Sequence, residues 1–264
     1  MTSQPPKAAR PVRAPRTMAT GDKMLGASSS QITPPKSPLK RRAAIATTSP
    51  LRCAEPRFNQ HHLSGIQHDL RQAQIDVIIG LLAALRAKDE YTHHHSIRVS
   101  IMADRLAERM QLRPREASIV HVAALLHDIG KIGIPDAILT KPGPLDPDEL
   151  KIMKGHSAIG AEMLRPITFL QRERLLVLHH HEWFNGQGYP AGLRAGSIPF
   201  GARILQVADC IDAMISPRTY KSSRDAAFVI EQLERGREQQ FDPRVGDVAI
   251  AWLRQDRDAF TLVN

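Results

Sequence analysis

From residue 66 onward the apolar positions recur at intervals of three and four, the period of a helix buried along one face. Residues 66–87 carry Leu70, Ile75, Ile78, Ile79, Leu82 and Leu85 in this spacing, and their most apolar run, 75–85, contains Asp76 and reads as a buried helix. Residues 91–110 repeat the pattern through Ile97, Ile101, Leu106 and Met110. Pro114 stands where a first helical turn tolerates proline, and the helix is expected to run on over 117–127. A loop follows, punctuated by Gly130, Gly133, Pro135, Pro142, Gly143 and Pro144. Beyond it the spacing predicts helices over 146–155, 156–164 and 170–181, a glycine-rich loop over 185–199, and helices over 202–215, 224–235 and 245–253. No run alternates with a period of two. The expected fold class is therefore all-α, a helical bundle of about eight helices without internal repeat.

The first 57 residues differ in kind. They hold nine of the nineteen prolines, mixed with Ala, Ser, Thr and Arg and almost no aromatic residues. Such a segment cannot bury enough apolar surface to offset its conformational entropy, so residues 1–60 are expected to be a disordered basic tail. The domain is expected over 66–264. The net charge of +9 belongs to the tail: eleven Lys/Arg against Asp22 and Glu55 give +9 over residues 1–57 and leave 25 basic and 25 acidic residues in 58–264. The globular part thus offers no charge argument for binding DNA. Three readings stand open for the tail: a passive extension, a basic arm for acidic lipid or nucleic acid, and a targeting segment. No run approaches the ~20 apolar residues that span a bilayer, and the N-terminus lacks the apolar stretch of a secretory signal. Two cysteines, Cys53 and Cys210, make no disulfide framework. Together these lead to the expectation of a cytoplasmic protein.

Histidine changes the picture, with twelve copies, several of them clustered. His127-Asp128 ends an apolar helix, where two ionisable groups are costly unless paired or ligated. Four further segments share this character: Asp89-Glu90-Tyr91-Thr92-His93-His94-His95, Gly155-His156-Ser157, His179-His180-His181-Glu182, and Asp209-Cys210-Ile211-Asp212. Asp209 and Asp212 interrupt an apolar helix, and a buried carboxylate calls for a partner or a metal. Each segment alone is explained equally well by a capped or solvated polar group; five of them in one helical bundle are not. Imidazoles and carboxylates without thiolates suit Fe, Mn or Zn rather than Ca.

The order His…His-Asp…Asp resembles the HD superfamily of metal-dependent phosphohydrolases. HDIGKIGIPDAILTKPGPL, residues 127–145, and His180-His181-Glu182-Trp183-Phe184-Asn185-Gly186-Gln187-Gly188-Tyr189-Pro190 are similar to the signature of its HD-GYP subgroup, as is Gln240-Phe241-Asp242-Pro243. The resemblance covers about residues 75–250. This chain departs from the family pattern in having Asn185 for Asp, Ser157 for Pro, His94 for Gly, and Ser216-Pro217-Arg218-Thr219-Tyr220 for SDRPY. In the run His93-His94-His95, the following Ser96 favours His95 as the ligand.

The resemblance implies two divalent metals, Fe or Mn. His95, His127, Asp128 and Asp209 would hold one; Asp128 would bridge to a second held by His156, His180 and His181. Some members bind a third, for which Glu90 is the candidate. A hydroxide shared by the metals would attack phosphorus, with Asp128 and Lys131 as catalytic residues and Lys131, Arg218 and Lys221 on the substrate phosphates. The expected reaction is hydrolysis of cyclic di-GMP to linear pGpG and onward to GMP. The GYP loop, Gly188, Tyr189 and Pro190, is associated in the family with substrate access and protein partners; a homodimer is also compatible, and the input signal is expected from another protein. Trp183 and Tyr189 are open to stacking on a base or to packing on the core. Two alternatives remain: a catalytically silent binding module of the same fold, and another nucleotide phosphohydrolase of the superfamily.

Overall fold

The computed structural model describes residues 60–216 and 225–256, with side chains from Leu63. Most of the expected tail, and Arg218 and Lys221, lie outside the described residues. Ten α-helices form among them: α1 (Gln60–Lys88), α2 (Glu90–Arg109), α3 (Pro114–Leu126), α4 (Asp136–Leu139), α5 (Pro147–Lys154), α6 (His156–Leu164), α7 (Gln171–His179), α8 (Phe200–Ile215), α9 (Ala226–Arg235) and α10 (Pro243–Gln255). No strand is present among the described residues; Arg237 and Phe241 make an isolated bridge. The protein is all-α.

Helix starts follow local chemistry. Asp89 caps α2 by accepting from the Tyr91 amide, and Asp146 and Glu149 form a reciprocal capping box around Pro147 at the head of α5. Asp242 and Pro243 open α10 in a similar way. Two helices stop short of their expected ends. α3 ends at Leu126 and α7 at His179, so His127 and His180 stand as C-caps, still in right-handed helical backbone, with His181 following.

The core lies between α2, α3, α7 and α8. Val99, Met102 and Leu106 meet Val120, Ala123 and Leu126, with Val177 and Ile204, Leu205, Val207 and Ile211 completing the layer, all essentially inaccessible. Burying each large aliphatic side chain contributes about 1.5–3 kcal/mol. α8 is buried on nearly every face from Ala202 to Ala208, which explains why its apolar run is continuous rather than striped. α9 and α10 close over its end through Val229, Leu233, Val245, Ala249 and Trp252.

The helix expected to be buried over 75–85 corrects one expectation. It forms, but only its last turns are covered: Leu85 is inaccessible, whereas Ile75 is 48% and Ile79 57% exposed. Apolar content announces a helix that wants a partner surface; whether its own domain supplies one depends on where the other helices lie.

A short 3-10 turn, Ile129–Gly133, follows α3 and packs against α6. The approach is close at Gly130, where a β-carbon would collide with the His156 carbonyl. This contact sets the distance between His127-Asp128 and His156. Gly130→Ala is expected to cost about 2 kcal/mol or more by forcing the turn off α6. Gly196→Ala, at a position with open space around it, should stay within about 0.5 kcal/mol of the parent. Chemical denaturation of the two variants checks this.

Candidate metal centre

The last carbonyls of an α-helix have no intrahelical donor, and three histidines exploit them. His127 Nδ1 lies 2.7 Å from the Ala124 carbonyl, His180 Nδ1 2.7 Å from Val177, and His156 Nδ1 2.8 Å from Met153. In each case the partner is three residues back. A carbonyl accepts, so Nδ1 carries the proton and Nε2 of the neutral ring is left with its lone pair.

Those lone pairs converge. His156 Nε2 and His180 Nε2 are 3.3 Å apart, and His127 Nε2 is 3.3 Å from Asp128 Oδ2. Electron pairs at such distances repel unless a proton or a cation serves both. Protons are disfavoured: burial holds the pKa of His180 well below the usual imidazole range, lowers His156, and brings His181 to about 4. A metal cation suits the same atoms.

Three groups have this character. His156, His180 and His181 place one donor atom each within 4.8 Å of one another, as do His95, His127 and Asp209, and His127, Asp128 and His180. Asp128 stands between the first two: Oδ1 is 3.4 Å from His156 Nε2, and Oδ2 is 3.8 Å from His95 Nε2. Its Oδ2 also accepts from Lys131 Nζ at 2.7 Å. Burial alone would raise the Asp128 pKa; Lys131 and the imidazoles outweigh it and hold the carboxyl well below its usual range.

His95 is oriented differently. It lies within α2, and its Nδ1 is 2.6 Å from Asp212 Oδ2 while Nε2 is 3.1 Å from Asp209 Oδ1. Asp212 is completely buried and also accepts from Arg98 Nε at 2.7 Å, Arg98 Nη2 at 3.0 Å and Ser216 Oγ at 3.1 Å. Burial would lower the His95 pKa, but the bonds to Asp209 and Asp212 prevail and raise it to about 9. The need of Asp212 for a partner was visible as an acid in an apolar helix; the partnership with Arg98 was not, because nothing distinguishes Arg98 from a surface arginine in sequence.

Beside the second group runs the loop after α7. Glu182, fully buried, accepts from the amides of Ala191 at 2.7 Å and Leu193 at 3.0 Å, and its carbonyl accepts from Gln206 Nε2 at 2.6 Å. The carboxylate ties the two ends of the loop together while the Glu182 carbonyl fastens it to α8, roles that sequence reading missed. Gly188 passes so near the backbone of His181 and Trp183 that no β-carbon fits. Tyr189 lies 4.8 Å from the His181 ring, with Lys154 Nζ 5.3 Å from its centroid and Pro190 following it at the rim. One face of Tyr189 is thus committed to packing. Asn185 donates Nδ2–H to Gln239 Oε1 at 3.0 Å and accepts from the Gln187 amide at 2.9 Å. A carboxylate there would keep the second bond and lose the first, which accounts physically for asparagine.

Glu90 falls outside all three groups. Its exposed carboxylate pairs with Arg86 at 3.1 Å and approaches His94 at 3.8 Å. Of the His93-His94-His95 run, His95 alone enters a group. A cavity of about 470 Å³ between Met110, Arg113, Val120, Leu176 and Phe200 sits at the opposite ends of the same helices and shares no residue with the centre.

Residues 80–245 match the family described as HD domain. The chain is 39% identical over 195 residues to a cyclic di-GMP phosphodiesterase response regulator of Xanthomonas campestris, covering 72% of this chain and 51% of that protein. It is 34% identical over 184 residues to a 3′3′-cGAMP-specific phosphodiesterase of Vibrio cholerae, covering 69% of this chain and 35% of that one. The chain therefore spans about half the length, or less, of these relatives. Among solved structures it resembles an HDG"Y"P protein of Bdellovibrio bacteriovorus in fold, at 23% identity and a TM-score of 0.51, covering 61% of this chain and 52% of that one.

Asp212→Ala is expected to weaken metal binding at the His95 group by about 10–100-fold and to spare the His156–His180–His181 group, read by metal titration and metal analysis after dialysis. His95, with its pKa near 9, is a cation at pH 7 and must lose that proton to bind metal. Loading at pH 7 should release about one proton from it. The release should fade as pH rises through about 9, above which His95 is already neutral. Calorimetry in buffers of different ionisation enthalpy measures it.

Proposed function

The chain belongs to the HD domain family, and from that premise we propose that it is a metal-dependent phosphodiesterase that opens a cyclic dinucleotide, cyclic di-GMP foremost, to the linear dinucleotide. The observation that carries the reading is the convergence of His127 Nε2 and His156 Nε2 on the two oxygens of Asp128, with His180 Nε2 3.3 Å from His156 Nε2. Such a set fits two cations sharing one carboxylate. His95, His127, Asp209 and Asp128 are assigned to one ion; Asp128, His156, His180 and His181 to the other. A mixed nitrogen and oxygen donor set without sulfur suits Fe, Mn or Zn, and Fe or Mn is assigned. Glu90, held by Arg86, receives no ion in this reading.

When bound, the two ions would supply an acidified water as nucleophile and positive charge for the entering and leaving oxygens. The residues do the rest. Asp128 would offer an oxygen to each ion, and the helix-end carbonyls keep the histidine nitrogens turned inward. Water adds to phosphorus, the P–O3′ bond breaks, the 3′ oxygen takes up a proton, and a 5′-phosphorylated linear dinucleotide leaves. pGpG holds a second phosphodiester and is the candidate for further cleavage to GMP. Lys131, with its ammonium beside Asp128, is assigned to the equatorial phosphoryl oxygens, and Arg218 and Lys221 to the flanking phosphate. Metals and cations address the phosphates that all cyclic dinucleotides share, so base preference must arise elsewhere; the relatives themselves are named for different cyclic dinucleotides. The loop through Gly188, Tyr189 and Pro190 borders His181 and is assigned to substrate access and partner contact. The location consistent with this reading is the cytoplasm.

The test is turnover by anaerobically purified protein with its metal quantified on the same sample, against cyclic di-GMP, 3′3′-cGAMP and cyclic di-AMP. Linear product from the first with about two metals per chain supports the proposal. Full occupancy without product from any of the three overturns it in favour of a ligand-binding module. Asp128→Ala should lose both ions and all turnover. Lys131→Met should keep the ions and lose about 10²-fold or more in kcat.

A further inference from the structure

Helix α1 carries more apolar surface than its own domain covers. From Leu63 to Gly80 no side chain is buried. Yet Leu63, Ile66, Leu70 and Val77 are large apolar residues left 43%, 52%, 60% and 40% exposed. Contact with the body begins only at Leu81, Leu82 and Leu85. An isolated helical stretch of this length is marginal in water, because helices draw most of their stability from packing. Among the described residues none buries a side chain of this stretch.

The spacing identifies the partner. Leu63, Ile66, Leu70, Ala73 and Val77 follow one another at intervals of three, four, three and four. That is the seven-residue repeat of a left-handed two-stranded coil, with Leu63, Leu70 and Val77 at one seam position and Ile66 and Ala73 at the other. The seam continues as Gly80, Ala84 and Ala87, small residues, just where α1 joins the domain body. Ile75 and Ile79 lie off this seam. The residues flanking it set the orientation. Asp69 and Asp76 lie along one edge and Gln67 and Gln74 along the other. In a parallel pair each aspartate edge faces the opposite edge of its partner, so Asp69 meets Gln74. In an antiparallel pair aspartate would face aspartate. The chain's own first 57 residues hold nine of its nineteen prolines and carry no matching apolar repeat in their sequence.

We propose that α1 is a dimerisation helix: residues 63–80 pair in parallel with the same segment of a second copy as a two-stranded coil. The proposal stands apart from the phosphodiesterase reading, since no residue of the seam belongs to the metal centre.

Sedimentation velocity of the full chain over a concentration series tests it. The unaltered protein is expected to sediment as a dimer. Leu70→Glu, which places a charge on the seam, should sediment as a monomer, with any loss of helical circular dichroism confined to the share carried by residues 63–80. His68→Glu, which places the same charge on an exposed position off the seam, should remain a dimer. Mild oxidation of Leu70→Cys should give a cross-linked dimer beyond any formed by the unaltered chain, whose own cysteines are Cys53 and Cys210. A monomeric unaltered chain, or a dimer that survives Leu70→Glu, overturns the pairing. A dimer in which Leu70→Cys fails to cross-link overturns the parallel register.

Discussion

The centre depends on one small constraint: a buried imidazole whose Nδ1–H is committed to a carbonyl has nothing but a lone pair to offer on its other side. His127, His156 and His180 all meet this constraint in the same manner, through the carbonyl three residues back near a helix end. The orphan carbonyls that any helix must satisfy therefore double as tautomer locks. At His156 and His180 burial then disfavours a second proton. A cluster of neutral, inward-facing nitrogens in a water-poor interior is an expensive arrangement that a divalent cation stabilises.

The two halves of the centre are not equivalent. The His156 half is held by backbone carbonyls, and its imidazoles resist protonation. In the other half His95 is held by the Asp212 carboxylate, itself tied to Arg98 and Ser216, and it retains a proton to about pH 9. A carboxylate partner makes an imidazole a stronger donor and couples metal entry to proton loss. Asp128, with one oxygen toward each half, links them, and the His127 ring meets that of His180 edge to face beside it. Its own position is set by the turn that Gly130 presses against α6.

The loop after α7 shows how departures from a family pattern can be absorbed locally. Asn185 uses its amide to reach Gln239, and Glu182 holds the far side of the loop by backbone bonds. The histidines at the loop's root are positioned by α7 itself, so a change at Asn185 alters the rim without moving the nitrogens.

Much of this was legible in the order of residues. Helical periodicity and the His-Asp segments at helix ends are local properties. The sequence by itself therefore determined the all-α class, most helix limits and the roster of residues that meet at the centre. What the tertiary structure decided is nonlocal. Arg98 and Asp212 lie 114 positions apart in the chain, and no periodicity announces their bond. Glu182 reaches amides that arrive only when the loop folds back. Glu90 is drawn to Arg86 rather than to the histidines. Most tellingly, Leu85 and Ile79 are equally apolar on one helix, yet one is buried and the other faces solvent. Periodicity reports which side of a helix seeks apolar company; the distance to a neighbouring helix decides whether it finds any within its own domain.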